Sequence, residues 1–84
     1  MKVWEFEEKV WEVEGIRIVI RAASEENVSN YTFKNSAQEG WRVTQLIEKR
    51  LQPKIGDYEV IIIQGDGEQP HGRVILRSVR RTYS

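Results

Sequence analysis

The stretch that decides the predicted fold is VWEVEGIRIVIR, residues 10–21. Apolar and charged residues alternate along much of it, and the pair Glu14-Gly15 separates its two halves. Alternation with a period of two is typical of a half-buried strand, and a two-residue turn joins antiparallel strands. With this turn Glu12 faces Arg17, so acid opposes base, and apolar side chains likewise oppose each other. The stretch therefore predicts an N-terminal antiparallel β-hairpin.

A short central helix and a further strand are predicted downstream of the hairpin. The helix should begin near 41–44 and end before Pro53, since proline interrupts a helix interior. Its apolar residues recur at helical spacing, namely Val43, Leu46, Ile47 and Leu51. Residues 58–64 contain the unbroken apolar run Val60–Ile63, which is typical of an interior strand.

The C-terminal segment, residues 73–83, fits two structures. As a helix, it places apolar residues on one face and arginines on the other. As a strand over 74–82, it would pair with 58–64 and complete a ββαββ order. The helix accounts for more residues, so the predicted fold is α+β, a single domain over residues 1–84 with a C-terminal amphipathic helix.

Composition excludes several classes of function. The chain has 84 residues and no cysteine, and His71 is its only histidine. Disulfide frameworks and thiolate chemistry are therefore excluded, and no metal site or cofactor is predicted. The run Val60–Ile63 is far too short to span a bilayer. Since acidic residues follow the start of the chain at once, no signal peptide is predicted, and the expected location is cytoplasmic.

The balanced charge conceals a bipolar distribution. Thirteen basic residues match thirteen acidic ones, giving a formal net charge of zero. Residues 1–27 nevertheless hold seven acidic and four basic side chains, whereas residues 71–84 hold four arginines and no acid. Such asymmetry bears on binding partners, and it also suggests self-association of acidic and basic ends.

The candidate binding residues lie near the C-terminus. Guanidinium groups suit carboxylate and phosphate, because they present planar pairs of donors. The glycine-punctuated loop before the arginines is a second candidate for holding an anion. Its spacing matches a P-loop, but Arg73 replaces the lysine and Val74 lacks the hydroxyl, so nucleotide hydrolysis is not expected. The candidates are Arg73, Arg77, Arg80, Arg81, His71, Gly67 and Gly72.

Trp4 is the tryptophan expected at the surface, where a large aromatic side chain would serve an interface. The leading functional hypothesis is a small non-enzymatic module that docks on a partner protein, of the accessory-subunit or inhibitor type that viruses and mobile elements also encode. The alternative is nucleic-acid or phosphate binding through the arginines. A third hypothesis, an enzyme that depends on His71, has no second catalytic group to support it.

Overall fold

The N-terminal part of the chain forms a helix and not a hairpin. In the computed structural model, which describes residues 1–83, helix α1 spans Val3–Glu14 and strand β1 spans Arg17–Ile20. The second strand of the predicted hairpin is therefore present. The prediction of a first strand is wrong, because that part of the chain is helical. Strand β1 pairs instead with a strand from the other half of the chain.

The apolar residues that give α1 its helical spacing begin at Val3, upstream of the stretch 10–21 from which the hairpin was predicted. Val3, Phe6 and Val10 lie three and four residues apart and are all buried, as on one face of a helix. Gly15 then adopts the left-handed region with φ 66°, and its N–H donates to the carbonyl of Trp11. The glycine therefore ends a helix, a common role for this residue, and does not form a hairpin turn.

The sheet has two antiparallel strands. Strand β2, Val60–Ile63, lies within the predicted range 58–64 and pairs with β1 so that Arg17 faces Ile63. The prediction of a strand is confirmed, but this strand has one neighbour, so it is not interior. Both strands turn alternate side chains into the core and leave the others on an outer face.

The central helical region is longer than predicted. It consists of helix α2, Val43–Leu46, a π-helical segment, Ile47–Leu51, and helix α3, Gln52–Ile55. The predicted start is confirmed, whereas the prediction that Pro53 ends the helix is wrong. The N–H at the start of α3 bonds to the carbonyl five residues earlier, and this wider turn accommodates a proline that lacks an N–H.

Helix α4 spans Leu76–Arg81 and confirms the predicted C-terminal helix. Leu76 and Val79 are completely buried, as the helical pattern requires. The alternative ββαββ order is wrong, because the extended conformation is limited to an isolated bridge at Ile75.

One core unites the helices and the inner face of the sheet. Its largest apolar side chains come from α1, the central helical region, β2 and α4, among them Phe6, Leu46, Leu51, Ile62 and Leu76. The fold class is α+β, as predicted. None of the helices formed by residues 1–83 is long and apolar enough to cross a membrane.

Candidate anion-binding surface

Helices α2 and α4 begin side by side. Arg42 and Ile75, the residues that precede the two helices, form an antiparallel bridge. The first N–H of each helix donates to a carbonyl in the segment before the other helix, at 2.9 Å for Val43 and 2.8 Å for Leu76. The second N–H of each helix does the same at 3.1 Å. Each helix start is therefore capped by backbone from the other.

These backbone donors are not available to a ligand. The N–H groups at a helix start commonly bind anions, but here carbonyl oxygens already accept their hydrogen bonds. Any anion at this place would depend on side chains, and three arginines lie near the bridge.

Arg42, Arg73 and Arg77 form what we call the basic surface. Arg42 lies opposite Ile75, roughly 5 Å away between Cα atoms, as in any antiparallel pair. Arg73 and Arg77 lie two residues before and two residues after Ile75. All three arginines are exposed. The bridge thus brings together basic residues that are about thirty positions apart in sequence.

No ion pair occupies the basic surface among residues 1–83. Among the arginines that pair with acids are Arg21, with Glu59, and Arg50 and Arg80, with Glu14. Guanidinium groups without a carboxylate neighbour retain their capacity for bidentate bonds to carboxylate or phosphate.

Arg80 is a structural residue and leaves the predicted arginine face. Its Nε donates to the Glu14 carbonyl at 2.8 Å, and its Nη2 lies 3.3 Å from the Glu14 carboxylate. Glu14 is 1% exposed and also accepts hydrogen bonds from Arg50 at 2.6 Å and from the N–H of Ala37 at 2.7 Å. The helical pattern of α4 did not reveal this, because the partner carboxylate lies at the end of α1.

The Tyr31 hydroxyl completes this cluster by donating to the Glu14 carboxylate. Burial, and next the hydrogen bond to Glu14, raise the pKa of Tyr31 well above its usual value. Burial lowers the pKa of Arg50, but the hydrogen bonds and the charge interactions with Glu14 and Tyr31 together outweigh burial, and the net change is upward. Tyr31 therefore keeps its proton and Arg50 keeps its charge at neutral pH.

Two other predicted residues lie outside the basic surface. Arg81 is exposed but already has an interaction partner. Trp4, near the start of α1, is 47% exposed and is the most exposed of the tryptophans. Its exposure matches the prediction.

The glycine-punctuated loop uses its backbone for its own structure. Gly67 requires the left-handed region, with φ 85°, and a Cβ at Gly72 would lie 2.6 Å from Thr44 Cγ2. His71 Nδ1 accepts the N–H of Arg73 at 3.2 Å. These contacts account for the glycines and for the histidine without a bound anion.

Arg42 is the surface residue that sequence reasoning missed, and an internal repeat was the available signal. The same four-residue pattern stands at the start of α1 and of α2. It consists of a basic residue before the helix, Lys2 or Arg42, then Val as the first helical residue, any residue, and Glu5 or Gln45. In both copies the fourth side chain accepts the backbone N–H of the basic residue, at 2.9 Å and 2.8 Å. In both, the basic residue also forms an isolated antiparallel bridge, to Asn27 in the first copy.

Metal chemistry finds no support in the described part of the chain. No three His, Asp or Glu side chains among residues 1–83 converge to hold a metal ion.

Comparisons with protein-family models, with curated proteins and with solved structures gave no match.

Proposed function

We propose that the chain is a small non-enzymatic docking module that holds an acidic segment of a partner protein on the basic surface. The observation that carries the proposal is the set of three exposed guanidinium groups without ion-pair partners among residues 1–83. Carboxylates of a partner would supply the acceptors that the chain itself does not.

The backbone around the basic surface is well suited to hold its arginines in place. Reciprocal hydrogen bonds fix the two helix starts, so the Cα positions of Arg42 and Arg77 keep a constant separation. Preorganisation of this kind favours binding, because less conformational entropy is lost when the partner docks.

An acidic protein segment fits the overall electrostatics better than a nucleic acid does. The net charge is zero, and the ion pairs Lys9–Glu12 and Arg21–Glu59 show acids placed among bases elsewhere on the surface. Nucleic-acid binders gain much of their affinity from an extended positive field, which this composition does not provide. A short segment with a few carboxylates needs only the local arginines.

The test uses hexaglutamate, acetylated and amidated, as the probe, with hexathymidylate as the nucleic-acid counterpart. In amide NMR titrations at low salt, hexaglutamate should shift the signals of Arg42 and Arg77. The double variant Arg42→Gln, Arg77→Gln should bind it about fivefold more weakly.

Arg21→Gln is the matched control, because it removes an exposed arginine that is already paired. It should leave the affinity unchanged. Equal weakening by the control, or no shifts at the basic surface, would contradict the proposal. Tighter binding of hexathymidylate, with a steep loss of affinity as salt rises, would support the nucleic-acid alternative instead.

A further inference from the structure

The outer face of the sheet carries apolar side chains that the rest of the described chain does not fully bury. Ile18 and Ile62 point into the core, whereas the alternate residues Val19, Ile61 and Ile63 lie on the opposite face. Val19 is 42% exposed, and only Trp4 is a comparably exposed large hydrophobic residue among residues 1–83.

A groove of about 400 Å³ opens at one end of this face. A volume of this size accommodates one or two side chains of a partner. No acidic residue lines the groove, so its only charged group is a cation. The residues that line the groove include Arg17, Val19, Ile63, Gly65, Gly67 and Tyr83.

The walls of the groove are fixed by hydrogen bonds across the end of the sheet. The Tyr83 hydroxyl accepts the N–H of Arg17 at 2.9 Å and donates to the carbonyl of Ile63, the residue that faces Arg17. Gly65 donates its N–H to Thr82 Oγ1 at 2.8 Å. A side chain at position 65 is excluded, because its Cβ would lie 1.7 Å from the Thr82 carbonyl oxygen.

Arg17 is held in place and has no carboxylate partner within residues 1–83. Its guanidinium carbon lies 4.2 Å from the centre of the Trp11 ring, and Trp11 in turn packs edge-on against Tyr83. Stacking on an aromatic face leaves the N–H groups at the edge of the guanidinium free to bind a carboxylate. Arg21, four residues later, is instead paired with Glu59.

We infer that this groove is a second docking site, for a segment of a partner protein that presents an apolar side chain beside a carboxylate. The apolar side chain would pack on Val19 and Ile63, and the carboxylate would bind Arg17. The groove lies beyond the C-terminal end of α4, whereas the basic surface lies at the start of α4. The two sites are therefore separate. The inference therefore does not depend on the proposed function.

The test is a selection of random heptapeptides displayed on phage, run in parallel on the wild-type chain and on variants. The wild type should enrich peptides with Asp or Glu within two positions of a Leu, Ile, Phe or Trp residue. Synthetic peptides of that consensus should bind Arg17→Gln and Val19→Asp each about tenfold more weakly. Amide shifts should appear at Val19, Gly65 and Gly67.

Arg77→Gln is the control, since it alters the basic surface and should leave the consensus and the affinity unchanged. Because the Arg17 side chain is exposed, Arg17→Gln keeps the test valid even if Val19→Asp perturbs the strand. Circular dichroism verifies the fold of both variants. The inference is overturned if no consensus emerges, or if the consensus survives both groove variants. Concentration-dependent dimerisation that Val19→Asp abolishes would instead assign this face to a second copy of the chain.

Discussion

Glu14 is the residue on which most of the polar interior depends. It lies at the C-terminal end of α1, where the helix dipole disfavours a carboxylate, and it is almost completely buried. Arg50 and Arg80 offset both costs, since their guanidinium groups lie 2.6 Å and 3.3 Å from its oxygens. Breaking such a group leaves two arginines without their counter-charge in a largely buried site.

Glu14→Gln should therefore lower the free energy of unfolding by about 3 kcal/mol, as expected when one member of a buried ion pair is removed. The measurement is urea denaturation at neutral pH. Glu12→Gln is the matched control, because Glu12 is exposed and pairs with Lys9 at 3.7 Å; its effect should stay within about 0.5 kcal/mol. Similar losses in both variants would show that Glu14 has no special role.

Tyr31 should make stability fall at alkaline pH. Burial raises its pKa in the folded chain above the usual value of 10.0, so the folded state retains the proton more tightly than the unfolded state. The corresponding stability is fully present below pH 10 and is lost as pH rises above it. Tyr83, whose pKa burial also raises, adds to the same trend.

The measurement compares the unfolding free energy at pH 8 and pH 10.5 in the wild type and in Tyr31→Phe. At pH 8 the free energy of unfolding of the variant should be about 1 kcal/mol lower than that of the wild type, because the variant lacks the hydrogen bond to Glu14. Its further loss at pH 10.5 should be smaller than that of the wild type. An identical alkaline loss in both proteins would mean that Tyr31 does not cause it.

Among the elements, α1 depends on its C-terminal glycine. Gly15 has φ 66°, a conformation that costs an alanine about 1 kcal/mol. Gly15→Ala should lower the thermal midpoint accordingly, whereas Gly40→Ala is the control, since Gly40 has an ordinary φ and open space around its Cα. If the two substitutions lower the midpoint equally, left-handed capping of α1 is not the cause.

The central helical region shows why element boundaries are hard to predict. Pro53 normally ends a helix, and the apolar spacing from Val43 to Leu51 gives no sign that the helix continues. Continuation depends on the π-helical turn before Pro53, and Ile55 on the far side is 4% exposed. The burial of Ile55 is a tertiary contact, which local propensity does not report.

At the scale of the whole molecule, the last elements complete a core that begins with the first. Leu76 and Val79 are fully buried, and Arg80 bonds to Glu14 across 66 positions. A chain that ends at Gly72 should therefore lack a cooperative unfolding transition, measured by circular dichroism during heating. A sharp transition in the truncated chain would show that α4 is dispensable for folding.

The basic surface also exists only at this scale. The sequence predicts an arginine face on a helix over 73–83, and two of its four members, Arg73 and Arg77, do lie on the basic surface. Arg80 turns inward to Glu14, whereas Arg42 joins the basic surface through its bridge to Ile75. Neither event follows from the spacing of the arginines, because both depend on partners from distant segments.

The sequence by itself determined strand β2 and the start of α2, whose apolar spacing is unambiguous, and it favoured a helix over a strand for the segment that forms α4. In those segments the local pattern and the final burial agree, so no distant contact has to be known. The stretch at residues 10–21 was different, because its first half satisfies the period of a strand as well as that of a helix. Only the tertiary structure decided this stretch, since Phe6 and Val10 become fully buried in the helical form and β1 finds its partner some forty residues away. Free energy from such distant contacts exceeds the small local preference for either conformation.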